Sequence, residues 1–182
     1  LANLDDRRGQ ALLSWEAATF AAVEGNAQAA QQLYEHAAER FIAAGDQEGP
    51  SLCFNAMGEL ARGAGRLTDA RRHYQRFLDA ARQRDHGLAV ALANLNLGLC
   101  ALGLGAAQEA QDRLHEAADG LGAAAGTWAV TARVALAEAC ALVGAYPSAA
   151  AALEEAEALD APLDEDGHAS LDRLITRATS AD

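Results

Sequence analysis

The chain has 182 residues, of which 51% are apolar but only 5% aromatic, with three prolines in all. Many small apolar side chains and few helix breakers suit closely packed helices and argue against a bulky sheet core. A formal net charge of -12, from 26 acidic and 14 basic residues, argues against nucleic acid as a main partner, because phosphate binding needs clustered Lys and Arg; the same charge keeps an apolar-rich chain in solution.

The chain starts at Leu1 with no signal peptide, and the lack of an initial Met suggests a piece of a larger protein. From there a beat of glycine followed five positions later by alanine runs through the sequence. Gly25/Ala30, Gly65/Ala70, Gly105/Ala110 and Gly144/Ala149 lie 40, 40 and 39 residues apart. Four copies without strand patterning between them predict a solenoid of helical hairpins. First helices are expected near 8–24, 50–64, 88–104 and 128–143, and second helices near 27–44, 67–83, 106–120 and 147–159. The beat glycine ends each first helix, where a left-handed residue is commonly needed. Linkers of the form Asp-x-x-Gly precede the first helices: Asp6 to Gly9, Asp46 to Gly49 and, more loosely, Arg84 to Gly87. Asp is a good helix cap, and Pro50 suits a first helical turn.

Counting each unit from Ala11, Ser51, Ala91 and Val130, the eighth position is always Gly or Ala (Ala18, Gly58, Gly98, Ala137). The twentieth is always Ala, and the twenty-fourth is large (Tyr34, Tyr74, Leu114, Leu153). The expected arrangement sets the small residue at position 8 against Ala at position 20, with the large residue filling the seam. Leu88 to Leu104 carries no charge over 17 residues, the short limit for a membrane-spanning helix. It also contains Asn94, Asn96 and Gly98 and keeps the repeat register, so a buried central helix is expected and no membrane partner. Trp128 opens the fourth unit as an expected core or staple residue. Beyond it, a helix over 165–179 with Leu171, Leu174 and Ile175 is expected to solvate the open end of the array.

Catalytic signatures are missing. No glycine run is followed by Lys-Ser or Lys-Thr, as a phosphate loop requires. His36, His73, His86, His115 and His168 stand in no ligand pair with one another, with Cys or with a carboxylate, so no metal and no cofactor is expected. Glu154, Glu155 and Glu157 read as a solvated helix face. Cys53, Cys100 and Cys140 are odd in number, widely spaced and set in apolar stretches, which points to a reducing cytoplasm rather than to disulfides or zinc.

The repeat resembles the tetratricopeptide repeat. Gly58, Ala70, Tyr74 and Phe77 carry the likeness in the second unit, and Leu97, Gly98, Ala110, Leu114 and Ala117 in the third. The first and fourth units depart from it, with Ala18 and Ala137 in place of Gly. The period near 40 is similar to the long-repeat subgroup of kinesin light chains and bacterial signalling proteins. The Asp-x-x-Gly leader and the Asn94 to Gly98 run look like the repeat tails of bacterial serine/threonine kinases and ATPase-type regulators. The resemblance implies one all-α, right-handed superhelix over residues 1–182. Its four hairpins lie near 11–44, 51–83, 91–120 and 130–159, and the capping helix follows.

It also implies a concave groove lined by the first helices. Carried onto this chain, the candidate groove residues are Trp15, Thr19, Leu52, Asn55, Glu59, Arg62, Leu92, Leu95, Asn96, Leu99, Leu102, Val134 and Glu138. A mostly apolar lining favours an amphipathic helix or an extended peptide. Asn55 and Asn96 either hydrogen-bond a peptide backbone or bond within their own hairpins. Trp15 is either an anchor for a partner or packs under the N-terminal residues. The basic and amide set with which some family members clamp a C-terminal carboxylate is missing, which disfavours chaperone tails. The expected function is therefore a non-enzymatic protein-interaction module of a larger bacterial signalling or regulatory protein. Its partner is a protein or peptide, the chain's own upstream domains or a second copy. Self-association or autoinhibition through the leucines of the third unit is the alternative, and a small-molecule sensor or enzyme the third reading.

Overall fold

The computed structural model describes residues 2–179, with side chains from residue 7 onward. Among the described residues all regular structure is helical, and the chain divides into two compact units, residues 1–86 and 87–182. The first unit holds α1 (Ala2–Val23), α2 (Ala27–Ala43), α3 (Gly49–Gly63) and α4 (Leu67–Gln83). The second holds α5 (Gly87–Gly103), α6 (Ala107–Gly120), a 3-10 turn at Ala123–Ala125, α7 (Thr127–Leu142), α8 (Tyr146–Glu157) and α9 (Glu165–Thr179). In the first unit α1 packs on α2, α2 on α3 and α3 on α4. In the second, α5 packs on α6, α6 on α7, and α7 on both α8 and α9.

The beat glycine makes each hairpin. Gly25, Gly65, Gly105 and Gly144 all have φ between 71° and 81°, a region that costs a residue with Cβ about 1–2 kcal/mol. Each returns its N–H to the first helix, and so does the next residue: Gly65 to the Arg62 carbonyl and Arg66 to the Ala61 carbonyl, both at 2.9 Å. The last carbonyls of one helix are thereby satisfied within two residues, and the chain re-enters a helix at once. In the first hairpin the Asn26 side chain also accepts from the Ala29 N–H at 3.2 Å, a side-chain N-cap.

The small residue at position 8 makes room for the large residue at position 24. A Cβ added to Gly58 would fall on the Tyr74 ring, and one added to Gly98 would fall on the Leu114 side chain. Tyr74 and Leu114 are both fully buried. Tyr34, Phe41, Met57, Tyr74 and Leu78 supply bulk to the first unit. The core of the second unit is built on Leu95, Leu114, Leu121 and Leu136 among many alanines.

Only one Asp-x-x-Gly leader of the three expected works as a leader. Asp46 Oδ1 accepts from the backbone N–H of Glu48 at 2.8 Å and of Gly49 at 3.0 Å, while Gly49 packs under the Phe41 ring. Asp6 to Gly9 lies inside α1, which starts at Ala2 and not near residue 8, and the side chain of Asp6 is outside the described residues. In the third copy Asp85 takes φ 50° as part of the turn before α5, and Gly87 has open space beside it. Trp128 is corrected too: it is 48% exposed in the first turn of α7 and is not a core residue. Among the described residues no helix is long and apolar enough to cross a membrane.

Candidate functional site

In the first unit the candidate residues lie on α1 and α3. Thr19 Oγ1 is 3.0 Å from the Trp15 carbonyl and 3.1 Å from the hydroxyl of buried Tyr34, so it ties α1 to α2. Trp15 is half-buried, and its indole N–H is shielded and without a hydrogen-bond partner. On α3 Leu52 is 48% exposed and Asn55 half-buried. One helical turn on, Arg62 Nη2 donates to Glu59 Oε2 at 3.0 Å. Burial works against the Arg62 guanidinium, but the carboxylate of Glu59 and the nearby Tyr74 hydroxyl outweigh it and fix it in the charged form. The Tyr74 hydroxyl is pushed up, first by burial and then by the charge of Glu59. Leu52, Asn55, Glu59 and Arg62 recur at three- and four-residue spacing, so one face of α3 carries an exposed leucine, an amide and a fixed cation–anion pair.

In the second unit the candidate residues divide. Leu92, Leu99 and Leu102 are half-buried on the apolar core, Leu95 is 3% exposed within it, and Asn96 is half-buried. Val134 and Glu138 are covered by α9. Val134 joins Val130 and Ala156 in a small apolar cluster that Leu163 and Leu171 complete. Glu138, 5% exposed, receives Arg173 at 2.5 and 2.8 Å in a two-pronged contact, and Arg173 also donates to Ser170 at 3.1 Å. The Glu138 carboxylate is the largest influence on Arg173 and raises its pKa. At the other end of the contact Thr131 donates to Asp164 at 2.7 Å, and Asp164 accepts from the Gly167 N–H at 2.9 Å.

Sequence reasoning missed that last geometry. Asp164 to Gly167 is an Asp-x-x-Gly leader of the Asp46 type, and it sets α9 as one more first helix seated on α7. Its four-residue spacing is that of Asp46 to Gly49, but it follows the last copy of the Gly/Ala beat. Asn94 was also missed. It is 1% exposed, donates to Glu116 at 2.8 Å and accepts from Arg113 at 3.1 Å, pinning α5 to α6.

Two clefts lie away from the candidate residues. One of about 580 Å³ in the first unit is bordered by Ile42, Asp46, Pro50, Phe54, Ala80 and Arg84, and Arg76 stacks over Phe54 at 3.9 Å. One of about 450 Å³ in the second unit lies over Leu136 and Cys140, rimmed by Asp112, His115, Asp119 and Glu155. Among the described residues no group of His, Cys, Asp and Glu could hold a metal ion. The three cysteines are free and buried, and burial pushes the Cys53 thiol up to about 12.

No family model matches the chain, and no curated protein matches it. Solved structures do. BtubC (BKLC) from P. vanneervenii superposes with a TM-score of 0.71 at 17% identity, covering 82% of this chain and 62% of that one. The apo form of RapI gives 0.82 at 13% identity, covering 91% and 47%. A Rap protein complexed with Competence and Sporulation Factor gives 0.68 at 19%, covering 82% and 42%. At such identities the likeness is one of fold, and it makes this chain a TPR-like helical-repeat fold. The chain spans less than two thirds of the length of each of these proteins.

Proposed function

We propose that this chain is a non-catalytic protein-interaction module, and that it holds a peptide or helix on the face of its first helices. The observation that carries the reading is the row Leu52, Asn55, Glu59 and Arg62, spaced three, four and three residues apart along one face of α3. There the exposed Leu52, the half-buried Asn55 and the fixed Glu59–Arg62 pair present apolar and polar contacts on one helix, and half-buried Trp15 on α1 is the aromatic candidate of the same unit. Aromatic and Arg side chains on a rigid scaffold are the usual anchors of a peptide site. That a Rap protein of this fold is found in complex with Competence and Sporulation Factor supports a ligand-binding use of the architecture. The chain's short span relative to its structural neighbours agrees with a place inside a larger bacterial signalling or regulatory protein. Free buried thiols suit a reducing cytoplasm.

In the second unit the reading narrows to Leu92, Asn96, Leu99 and Leu102, since Val134 and Glu138 already hold α9. The test is affinity capture with wild type, Leu52→Arg/Asn55→Ala and, as control, Glu155→Ala. Glu155 is exposed and pairs with Arg133 across 3.3 Å on the α7–α8 hairpin. Selective loss of partners with the double variant is the expected result. The same partners with all three proteins would remove this face as the site.

A further inference from the structure

The seat of α9 departs from the repeat. Among the described residues α3 and α7 pack on the second helix before them, α2 and α6, whereas α9 packs on the first helix before it, α7. That seat is made of groove positions. Counted from Val130, the second, fifth and ninth positions of α7 are Thr131, Val134 and Glu138, and α9 with its leader covers all three. They are 1%, 4% and 5% exposed. At the same positions of α3, Leu52 is 48% exposed, Asn55 is half-buried and the Glu59 side chain is 43% exposed. The face that is largely open on α3 is thus filled on α7, and an amphipathic helix fills it.

We propose that α9 is a resident ligand of this face: α7 binds amphipathic helices, and a partner helix of the same pattern takes the place of α9. The proposal rests on the reading of first-helix faces as the binding surface, and it names the class of partner. Three observations carry it. First, the contact has the make-up of a helix-in-groove site. Leu163 and Leu171 meet Val130 and Val134, Thr131 donates to Asp164, and Arg173 reaches Glu138 at 2.5 and 2.8 Å. A carboxylate buried by an arginine that stays 52% exposed suits a seat for a cationic ligand group better than a core. Second, these contacts keep one order along both helices, so α9 runs parallel to α7. A competing helix must therefore carry an apolar residue two places before an arginine, as Leu171 and Arg173 do. Third, the apolar seat is a small cluster that borders the main core of the second unit, to whose edge α9 adds Leu174. Since α7 also packs on α6 and α8, α9 can leave without opening that core. The segment 158–164 tethers α9 at an effective concentration of about millimolar, so it shuts out weak helices and yields to a tighter one.

The test uses a labelled peptide of residues 163–179 as probe and the whole chain as host, as wild type and as Leu171→Asp/Arg173→Glu. Both substitutions lie on α9, so they release the resident helix and leave the α7 face as it is. The released chain is expected to bind the peptide with a dissociation constant in the micromolar range, and the peptide should gain helical circular dichroism on binding. Wild type should bind at least about tenfold more weakly, because the tethered α9 competes. A peptide carrying Arg173→Glu should lose at least about tenfold on the released chain. A folded released chain that ignores the peptide overturns the proposal. So does wild type that binds it equally well, a bound peptide without helix, or binding indifferent to Arg173→Glu. Hydrogen exchange on wild type needs no folded variant and decides the case where the released chain does not fold. Amides of residues 165–179 should exchange together and faster than those of α7, and equal protection overturns the proposal. Peptide binding is read on α7, and capture with Leu52→Arg/Asn55→Ala on α3, so the two readings fail or stand separately.

Discussion

Gly58→Ala sets two effects of similar size against each other, and the structure decides between them. In an exposed helix interior, replacing Gly by Ala stabilises by about 1 kcal/mol. At Gly58 the added methyl falls on the ring of Tyr74, which is fully buried and whose hydroxyl lies beside Arg62 and Glu59. The ring has no room to slide, and over-packing of this kind costs about 1–3 kcal/mol. The first hairpin already combines Ala18 with Tyr34, so the substituted hairpin can form and the cost sits in the middle of that range. A net loss of about 1 kcal/mol follows, or about 2–4 °C in Tm for a chain of this length. Thermal and urea unfolding followed by circular dichroism measure it, with Gly9→Ala as internal reference. Gly9 lies in α1 with nothing within 4 Å of a built Cβ, so that variant should gain about 0.5–1 kcal/mol. Adding Tyr74→Leu to Gly58→Ala reproduces the Ala137/Leu153 pair of the fourth unit and should relieve the clash. If Gly58→Ala stabilises as much as Gly9→Ala, the pairing of positions 8 and 24 is wrong, and with it the register that places the candidate site.

Two further perturbations report on the contact between α7 and α9 and on the cap of α3. Arg173→Ala leaves the carboxylate of Glu138 without its cation; discounted because the Arg173 side chain is 52% exposed, the loss is about 1–2 kcal/mol, and it should show as faster amide exchange in α9 before the rest of the second unit. Asp46→Ala removes the acceptor that caps α3, at a cost of about 0.5–2 kcal/mol near neutral pH. Burial raises the Asp46 carboxyl, but the Gly49 and Glu48 N–H groups and the Arg8 guanidinium, 2.8 Å away, together hold it below the usual carboxylate range. A depressed folded pKa gives stability that is fully present above the unfolded value near 4 and is lost as pH falls through the folded one. The difference between wild type and Asp46→Ala, read from urea midpoints, should therefore shrink only on acidification below about pH 4; a constant difference down to pH 2 would refute the assignment.

The helices were legible because two local rules agree at the same residues. Gly25, Gly65, Gly105 and Gly144 break the helix for conformational reasons that no neighbour can override, and Ala30, Ala70, Ala110 and Ala149 then restart a helical face at fixed spacing. Errors arose where a motif lacked its packing partner. Asp46 caps α3 because Gly49 fits under Phe41; Gly9 has no such neighbour, so the same four-residue pattern continues as helix. Trp128, expected as a core or staple residue, lies on the first turn of α7, before the buried row at Ala129, Val130 and Ala132 begins.

The candidate site was legible only as a face, because the identity of a residue at a groove position does not say which other helix will reach it. Glu59 and Glu138 occupy the same ninth position of their units, on α3 and α7. The first is bound by Arg62 from its own helix and its side chain stays 43% exposed; the second is bound by Arg173 from α9 and its side chain is 6% exposed. The partner of Glu59 is three residues away and could be read from the sequence. The partner of Glu138 is 35 residues away, and its approach depends on Asp164 turning the chain so that Leu171 meets Val130 and Val134. A long-range helix therefore decides whether an acidic position is a recognition element or a structural clasp. The first unit, where the polar pair is local and Leu52 stays exposed, consequently carries the stronger case for a binding face.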